Sequence, residues 1–221
     1  MAAHDVVPGR DAVVGHAEAD RALVLVGLPF GDELVRDAPA VVEPVELKGD
    51  RAVPVEPEPA QRILDLVDRL AALGWPVILG NADAFLLEVP SDSPEPLTQG
   101  HLDKREWTLA QLEPRHLDQI RSFAPTIDFE LEDGLVLRAF HASPRSYDDV
   151  ILPDTPDAQV EALLGGSGVD LLAGGHTHMQ WTRYVDGALF VNPGSVRDDG
   201  AYAIVTGGSV EFRRATWQSE S

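Results

Sequence analysis

From residue 60 onward the apolar positions fall into two spacings. Ile63, Leu64, Val67, Leu70 and Leu73 recur at the interval of a helix face, and Gly74 suits its C-terminal stop. Val77-Ile78-Leu79 is a compact apolar run ending at Gly80, which predicts a strand and, with the helix, half of a βαβ unit. Pro90, Ser91, Ser93, Pro94, Pro96 and Gly100 predict a polar loop over 90–100. Thr108, with Gln111 three residues later, fits a capping box and predicts a helix start. Pro114 suits the first turn of a further helix carrying Leu117 and Ile120. Strands are predicted at 135–140, 169–173 and 188–191. A helix is predicted from Thr155-Pro156 through Val160, Leu163 and Leu164 to Gly165-Gly166. Residues 201–205 and 209–213 read as a closing hairpin about Gly207-Gly208.

The first 60 residues differ. They contain no Ser, Thr, Asn, Ile, Tyr or Trp and are dominated by Val, Ala, Asp, Glu, Pro and Gly. Residues 22–26 predict a buried strand before Gly27, and 40–42 and 45–47 short strands around Pro44. Pro54, Pro57 and Pro59 mark an irregular loop. The 221 residues suit a single domain, 1–221, without internal repeats.

Composition narrows the classes. An apolar content of 44% reads as soluble and globular, with no stretch near the roughly 18–20 apolar residues of a membrane helix. The N-terminus lacks a basic-then-apolar leader, so the cytoplasm is the expected location. The absence of cysteine excludes disulfide scaffolds, thiolate metal sites and cysteine nucleophiles. With 37 acidic against 17 basic residues the net charge is −20, a field that repels phosphate backbones and disfavours nucleic acid. A local basic spot would still admit a small phosphate ester; otherwise the acidity serves solubility. A homo-oligomer is compatible with all of this.

Candidate chemistry lies where the apolar runs end. Asn81 follows one run, His141 another, His176 and His178 a third, and Asn192 to Ser195 a fourth. In open α/β sheets, ligands bind outside the carboxyl ends of the strands. Two histidines at i and i+2 beside Gly175 can aim their imidazoles at neighbouring metals, and an Asn carbonyl adds a hard oxygen donor. Each piece alone has an ordinary reading: Gly80-Asn81 and Asn192–Ser195 as turns, His141 as a hydrogen-bonded histidine. Mixed nitrogen and oxygen donors suit Mn, Fe, Zn or Ni.

Gly80-Asn81-Ala82-Asp83, Phe140-His141-Ala142-Ser143-Pro144, Gly175-His176-Thr177-His178 and Asn192-Pro193-Gly194-Ser195-Val196 resemble the ordered blocks of calcineurin-like metallophosphoesterases, in particular the small bacterial YfcE-type branch, over roughly residues 50–215. The resemblance implies a four-layer α/β/β/α sandwich of two mixed sheets flanked by helices. It also implies two divalent metal ions and a metal-activated hydroxide attacking a phosphomonoester or phosphodiester in line. On that resemblance Asn81, His141 and His176 bind one metal and His178 the other. Gly49-Asp50 matches the bridging aspartate block best, with Gly31-Asp32 a weaker match. Asn81, His141 and Arg145 carry the catalytic roles, Arg145 by binding phosphate oxygens or, alternatively, by pairing at the surface with Asp148 or Asp149.

The chain departs from the family at two places. The position after Asn81, often a proton-donating histidine in the family, is Ala82; such help is worth about 10²–10⁴-fold. The opening Asp-x-His block is absent, because none of the seven histidines has Asp two residues before it. His4, His16, Asp5, Asp11 and Asp20 are possible substitutes, none read as ending an apolar strand. Residues 1–50 are thus atypical, as a replaced segment would be. The rival readings are a catalytically impaired metal- or ligand-binding protein of the same fold and a non-metal scaffold.

Overall fold

A computed structural model describes residues 13–16, 23–26, 59–90, 97–131 and 134–215. In chain order its elements are β1 (Val13–His16), β2 (Leu23–Val26), α1 (Pro59–Leu73), α2 (Asn81–Leu87), α3 (Gln99–Gln111), α4 (Pro114–Arg121), β3 (Thr126–Glu130), β4 (Val136–Phe140), α5 (Asp157–Leu164), β5 (Leu171–Ala173), β6 (Gln180–Val185), β7 (Ala188–Pro193), α6 (Val196–Asp199), β8 (Ala201–Thr206) and β9 (Ser209–Arg214). Among the described residues the strands form a five-stranded sheet, β3-β4-β5-β7-β6, and a four-stranded sheet, β1-β2-β8-β9. In the first, β4, β5 and β7 run parallel, with β3 and β6 antiparallel at the two edges. The second is antiparallel throughout. Among the described residues no helix is long and apolar enough to cross a membrane.

The parallel strands are apolar runs because both faces of their sheet are covered. Leu171 and Ala173 pack with Leu137, Ala139 and Val191 against Ala203 and Val205 of β8, so one face meets the second sheet. Leu172, Phe140 and Phe190 point the other way and pack on Val160 and Leu164 of α5. The period-two switch along Leu171-Leu172-Ala173 thus sends alternate side chains into two separate cores. Leu70 of α1 reaches Val196 and Tyr202 beside β8.

Several expectations need correction. Thr108 does not open a helix; α3 begins nine residues earlier, inside the segment read as a loop. Its cap is Thr98, whose Oγ1 accepts from His101 N–H, while Thr98 N–H donates to His101 Nδ1, both at 3.3 Å. Glu113 N–H likewise donates to His116 Nδ1 at 3.0 Å at the start of α4. An imidazole nitrogen here does the work of the usual Glu or Gln acceptor, which is why a search for Glu or Gln misplaced the start. With Nδ1 accepting, buried His116 must donate from Nε2, and it does so to Asp68 of α1 at 3.2 Å.

Among the described residues, Val77-Ile78-Leu79 does not pair with the parallel strands β4, β5 and β7. Ile78 makes a parallel bridge to Ala124, just before β3, and among the described residues no βαβ unit forms there. The helix α2 and the strands β1, β3 and β6 were not anticipated. Asp186-Gly187, with φ of +50° and +83°, is the two-residue turn joining β6 to β7, and its Asp-Gly signature stood in the sequence. His16, set aside as ending no apolar strand, is the last residue of β1. The expected strands at 40–42 and 45–47 lie outside the described residues.

Close packing sets a stability test at the end of β5. A Cβ at Gly174 would meet Phe140 Cε2 at 2.6 Å and Phe190 Cε2 at 3.1 Å. Gly174→Ala should therefore destabilise the fold by about 1–3 kcal/mol, read as a lower urea midpoint at constant slope. An unchanged midpoint would show that the aromatic layer is looser than described.

Candidate metal centre

Parallel β4, β5 and β7 end at one edge of their sheet, and each end carries a polar block. His141 immediately follows β4, and His176 and His178 lie in the loop after β5. Asn192 is within the last residues of β7. Asn81 arrives by a different route, as the first residue of α2, carried by the bridge of Ile78 beside the start of β3. Thr126 of β3 pairs with Phe140, so that route leads to the same edge.

The side chains converge there. His141 Nε2 lies 3.0 Å from Asn81 Oδ1 and 3.2 Å from His176 Nδ1, and the two imidazoles meet edge to face with centroids 5.1 Å apart. Burial lowers the pKa of His141 to about 3, helped by the charges of His176 and His178. His176 is also lowered, by burial first; Asp148 and Asp149 pull it back upward and His178 pushes it down. Both rings are therefore neutral near pH 7. A Cβ at Gly80 would meet Asp83 Oδ2 at 3.3 Å and His141 Cε1 and Nδ1 at 3.4 Å, so the chain passes beside that ring.

Asn192, fully buried, fixes the histidine loop. Its Nδ2 donates to the Gly175 carbonyl at 2.9 Å and to Thr177 Oγ1 at 3.0 Å, while its Oδ1 accepts from Gly194 N–H at 3.0 Å. Gly175 N–H donates back to the His141 carbonyl at 2.6 Å, and Thr177 N–H to the Gly175 carbonyl at 2.7 Å. That last bond closes a three-residue turn about His176, whose φ is +64°; His178 has φ +58°. Non-glycine residues in this region are strained, and the turn persists because the Asn192 clamp holds it.

Asp83, quoted in the Asn81 block without a role, is buried at the first turn of α2 and accepts from Gly80 N–H at 3.0 Å. Burial raises its carboxyl to about 6. His178 does not join the three-atom cluster; its Nδ1 lies 2.7 Å from Asp198 Oδ2. Arg145 is exposed on a loop built around Ser143, whose Oγ donates to Asp149 Oδ2 at 2.5 Å and accepts from the N–H groups of Arg145 and Ser146. Among the described residues its guanidinium forms no ion pair with Asp148 or Asp149. Asp50 and Asp32 lie outside the described residues.

Among the described residues no three of His, Cys, Asp and Glu converge. The third donor here is instead an amide oxygen. Ligand atoms each about 2.1 Å from one cation and at right angles lie about 3.0 Å apart. The separations around His141 Nε2 match that spacing. The same separations suit hydrogen bonds from a His141 Nε2–H, and as donor types two neutral imidazole nitrogens and an amide oxygen fit a divalent cation.

No family model matches the chain, and no curated protein matches it either. Solved structures do. A metallophosphoesterase from Sphaerobacter thermophilus superposes with a TM-score of 0.53 over 70% of this chain and 71% of its own, at 20% identity. A hypothetical protein from Pyrococcus horikoshii gives 0.59 over 73% and 71%, at 17% identity. This is a metallophosphoesterase-like fold. The likeness is one of fold; at such identities the chemistry must be argued from the residues.

The titrations of His141 and Asp83 oppose each other in the metal-free protein. His141, depressed from 6.5 to about 3, leaves the unfolded chain binding the extra proton, so stability falls as pH drops through that window. Asp83, raised from 3.8 to about 6, binds its proton in the folded state first, so its contribution is lost as pH rises through about 6. His141→Gln should flatten the acid loss of stability and Asp83→Asn should steepen it, measured by urea denaturation between pH 7 and 4. Parallel curves for wild type and both variants would refute these environments.

Proposed function

We propose that the chain is a metal-dependent phosphoesterase hydrolysing small phosphomonoesters or phosphodiesters, of the YfcE-type bacterial branch. The observation that carries this is the convergence of Asn81, His141 and His176 at the strand-end edge of a metallophosphoesterase-like fold. When bound, divalent cations such as Mn, Fe, Zn or Ni supply Lewis-acid polarisation of a phosphoryl oxygen and lower the pKa of water. The chain's part is to present donors already neutral and turned inward. Asn81, His141 and His176 would hold one cation, His178 the second, and Asp50 would bridge them. Arg145, on the loop leaving His141, is free to bind non-bridging phosphate oxygens. Ala82 contributes no proton, so the leaving group must draw one from elsewhere.

The net charge of −20 favours small substrates over nucleic acid. A cytoplasmic location and a homo-oligomeric state belong to the same proposal. The rival, a binding protein of this fold holding one cation or none, is favoured by Ala82 and by the missing Asp-x-His block.

Elemental analysis of purified protein, paired with turnover of bis-p-nitrophenyl phosphate on added Mn²⁺, separates the two. The phosphoesterase should carry about two cations per chain and turn over. His176→Ala should weaken cation binding by more than the roughly 10–100-fold typical of losing a supporting group. Fewer than about one cation per chain without turnover sinks the enzyme reading and leaves the binder.

A further inference from the structure

The carboxylate of Asp198 lies beside a histidine that the cluster around His141 leaves out. His178 Nδ1 is 2.7 Å from Asp198 Oδ2, with both side chains partly exposed. A carboxylate can only accept, so Nδ1 carries the proton. A neutral imidazole has one N–H, and Nε2 is therefore left with its lone pair. Among the described residues, His141 and His176 have no such carboxylate hydrogen bond; their ring nitrogens face each other and Asn81.

The placement of Asp198 is built into the turn after β7. Gly194, at φ +83°, is packed so closely that a Cβ would lie 2.7 Å from Gln180 Cγ and 2.8 Å from Ala201 Cβ. The buried Ser195 caps α6, its Oγ accepting from Asp198 N–H at 3.3 Å, and Gly200, at φ +70°, ends it. Val196 is buried against Leu70 and Tyr202. A single helical turn pinned at both ends thus aims Asp198 at His178, while its neighbour Asp199 pairs with Arg214. The strain of His178 at φ +58° is held on the far side by the Asn192 clamp on Thr177.

We propose that Asp198 is a positioning residue that fixes the tautomer of His178 and presents its Nε2 to a divalent cation. This deepens the phosphoesterase reading and rests on it for the cation. Carboxylate–histidine–metal triads of this kind orient the ring and raise its basicity as a ligand. Nothing in the chain's spacing pointed to Asp198; twenty residues separate it from His178, and α6 brings them together.

The test has a metal-free arm and a metal arm. In ¹⁵N–¹H spectra of the metal-free protein near pH 8, His178 should be the Nδ1–H tautomer. Asp198→Ala should lose that preference. Asp198→Asn, whose amide oxygen still accepts, should retain most of it and guards against a folding artefact. Calorimetric titration with Zn²⁺ should show binding about 10–100-fold weaker in Asp198→Ala at one site, with the other site unchanged. An Nε2–H tautomer in the wild type overturns the proposal, as does equal Zn²⁺ affinity in Asp198→Ala once the tautomer has been lost. A wild-type protein that holds the Nδ1–H tautomer yet takes up no Zn²⁺ overturns the phosphoesterase reading, and the cation-presenting role with it.

Discussion

Three parallel strands that must be buried on both faces constrain everything else in this molecule. Leu171, Leu172 and Ala173 face alternately β8 and α5, so β5 has no side chain left over for solvent or ligand. Polar chemistry is thereby expelled from the strands to their ends. Because β4, β5 and β7 run in one direction, their carboxyl ends share an edge, and His141, His176 and Asn192 meet there. Phe140 and Phe190 crowd Gly174 just beneath the site, where a Cβ would meet both rings.

What is gathered at that edge is organised by polarity rather than by charge. His141 and His176 are neutral because burial disfavours their protonated forms, and their nitrogens face each other and an amide oxygen. The geometry is held from outside the cluster. Asn192 satisfies all of its hydrogen-bonding groups on the loop and turn that flank it, and so keeps two histidines in left-handed backbone conformations that they would otherwise leave. Side chains that themselves bind nothing thus supply the precision that a ligand set requires.

The two departures from the metallophosphoesterase blocks that the sequence resembles would bear on different parts of the proposed chemistry. Ala82 would leave the proposed site without a proton donor at the position after Asn81, while the start of α2 is held by Asp83, which accepts from Gly80 N–H. The missing Asp-x-His block would bear on the second cation proposed at His178, and Asp50 and Asp32 lie outside the described residues. The contacts among Asn81, His141 and His176 support the first proposed cation position, and the contact of His178 with Asp198 supports the second.

The blocks that matter were legible in the sequence because they punctuate apolar runs. Asn81, His141, His176, His178 and Asn192 were singled out as residues following such runs, and the runs at 135–140, 169–173 and 188–191 are β4, β5 and β7. Local pattern could do this because burial on both faces writes an uninterrupted apolar string that ends where the strand does. Local pattern failed where the partner was distant or the chemistry unusual. Histidines serving as capping acceptors hid the starts of α3 and the buried role of His116. The run at Val77–Leu79, which among the described residues bridges only Ala124, was expected to be half of a βαβ unit because an apolar run carries no record of what it pairs with. The sequence by itself determined which residues were available for chemistry and the strand ends at which most of them would stand. Only the tertiary structure decided which donors touch, that Asn192 clamps rather than turns, and that Asp198 reaches His178. Those contacts join residues 15 to 60 positions apart, and packing alone sets such distances.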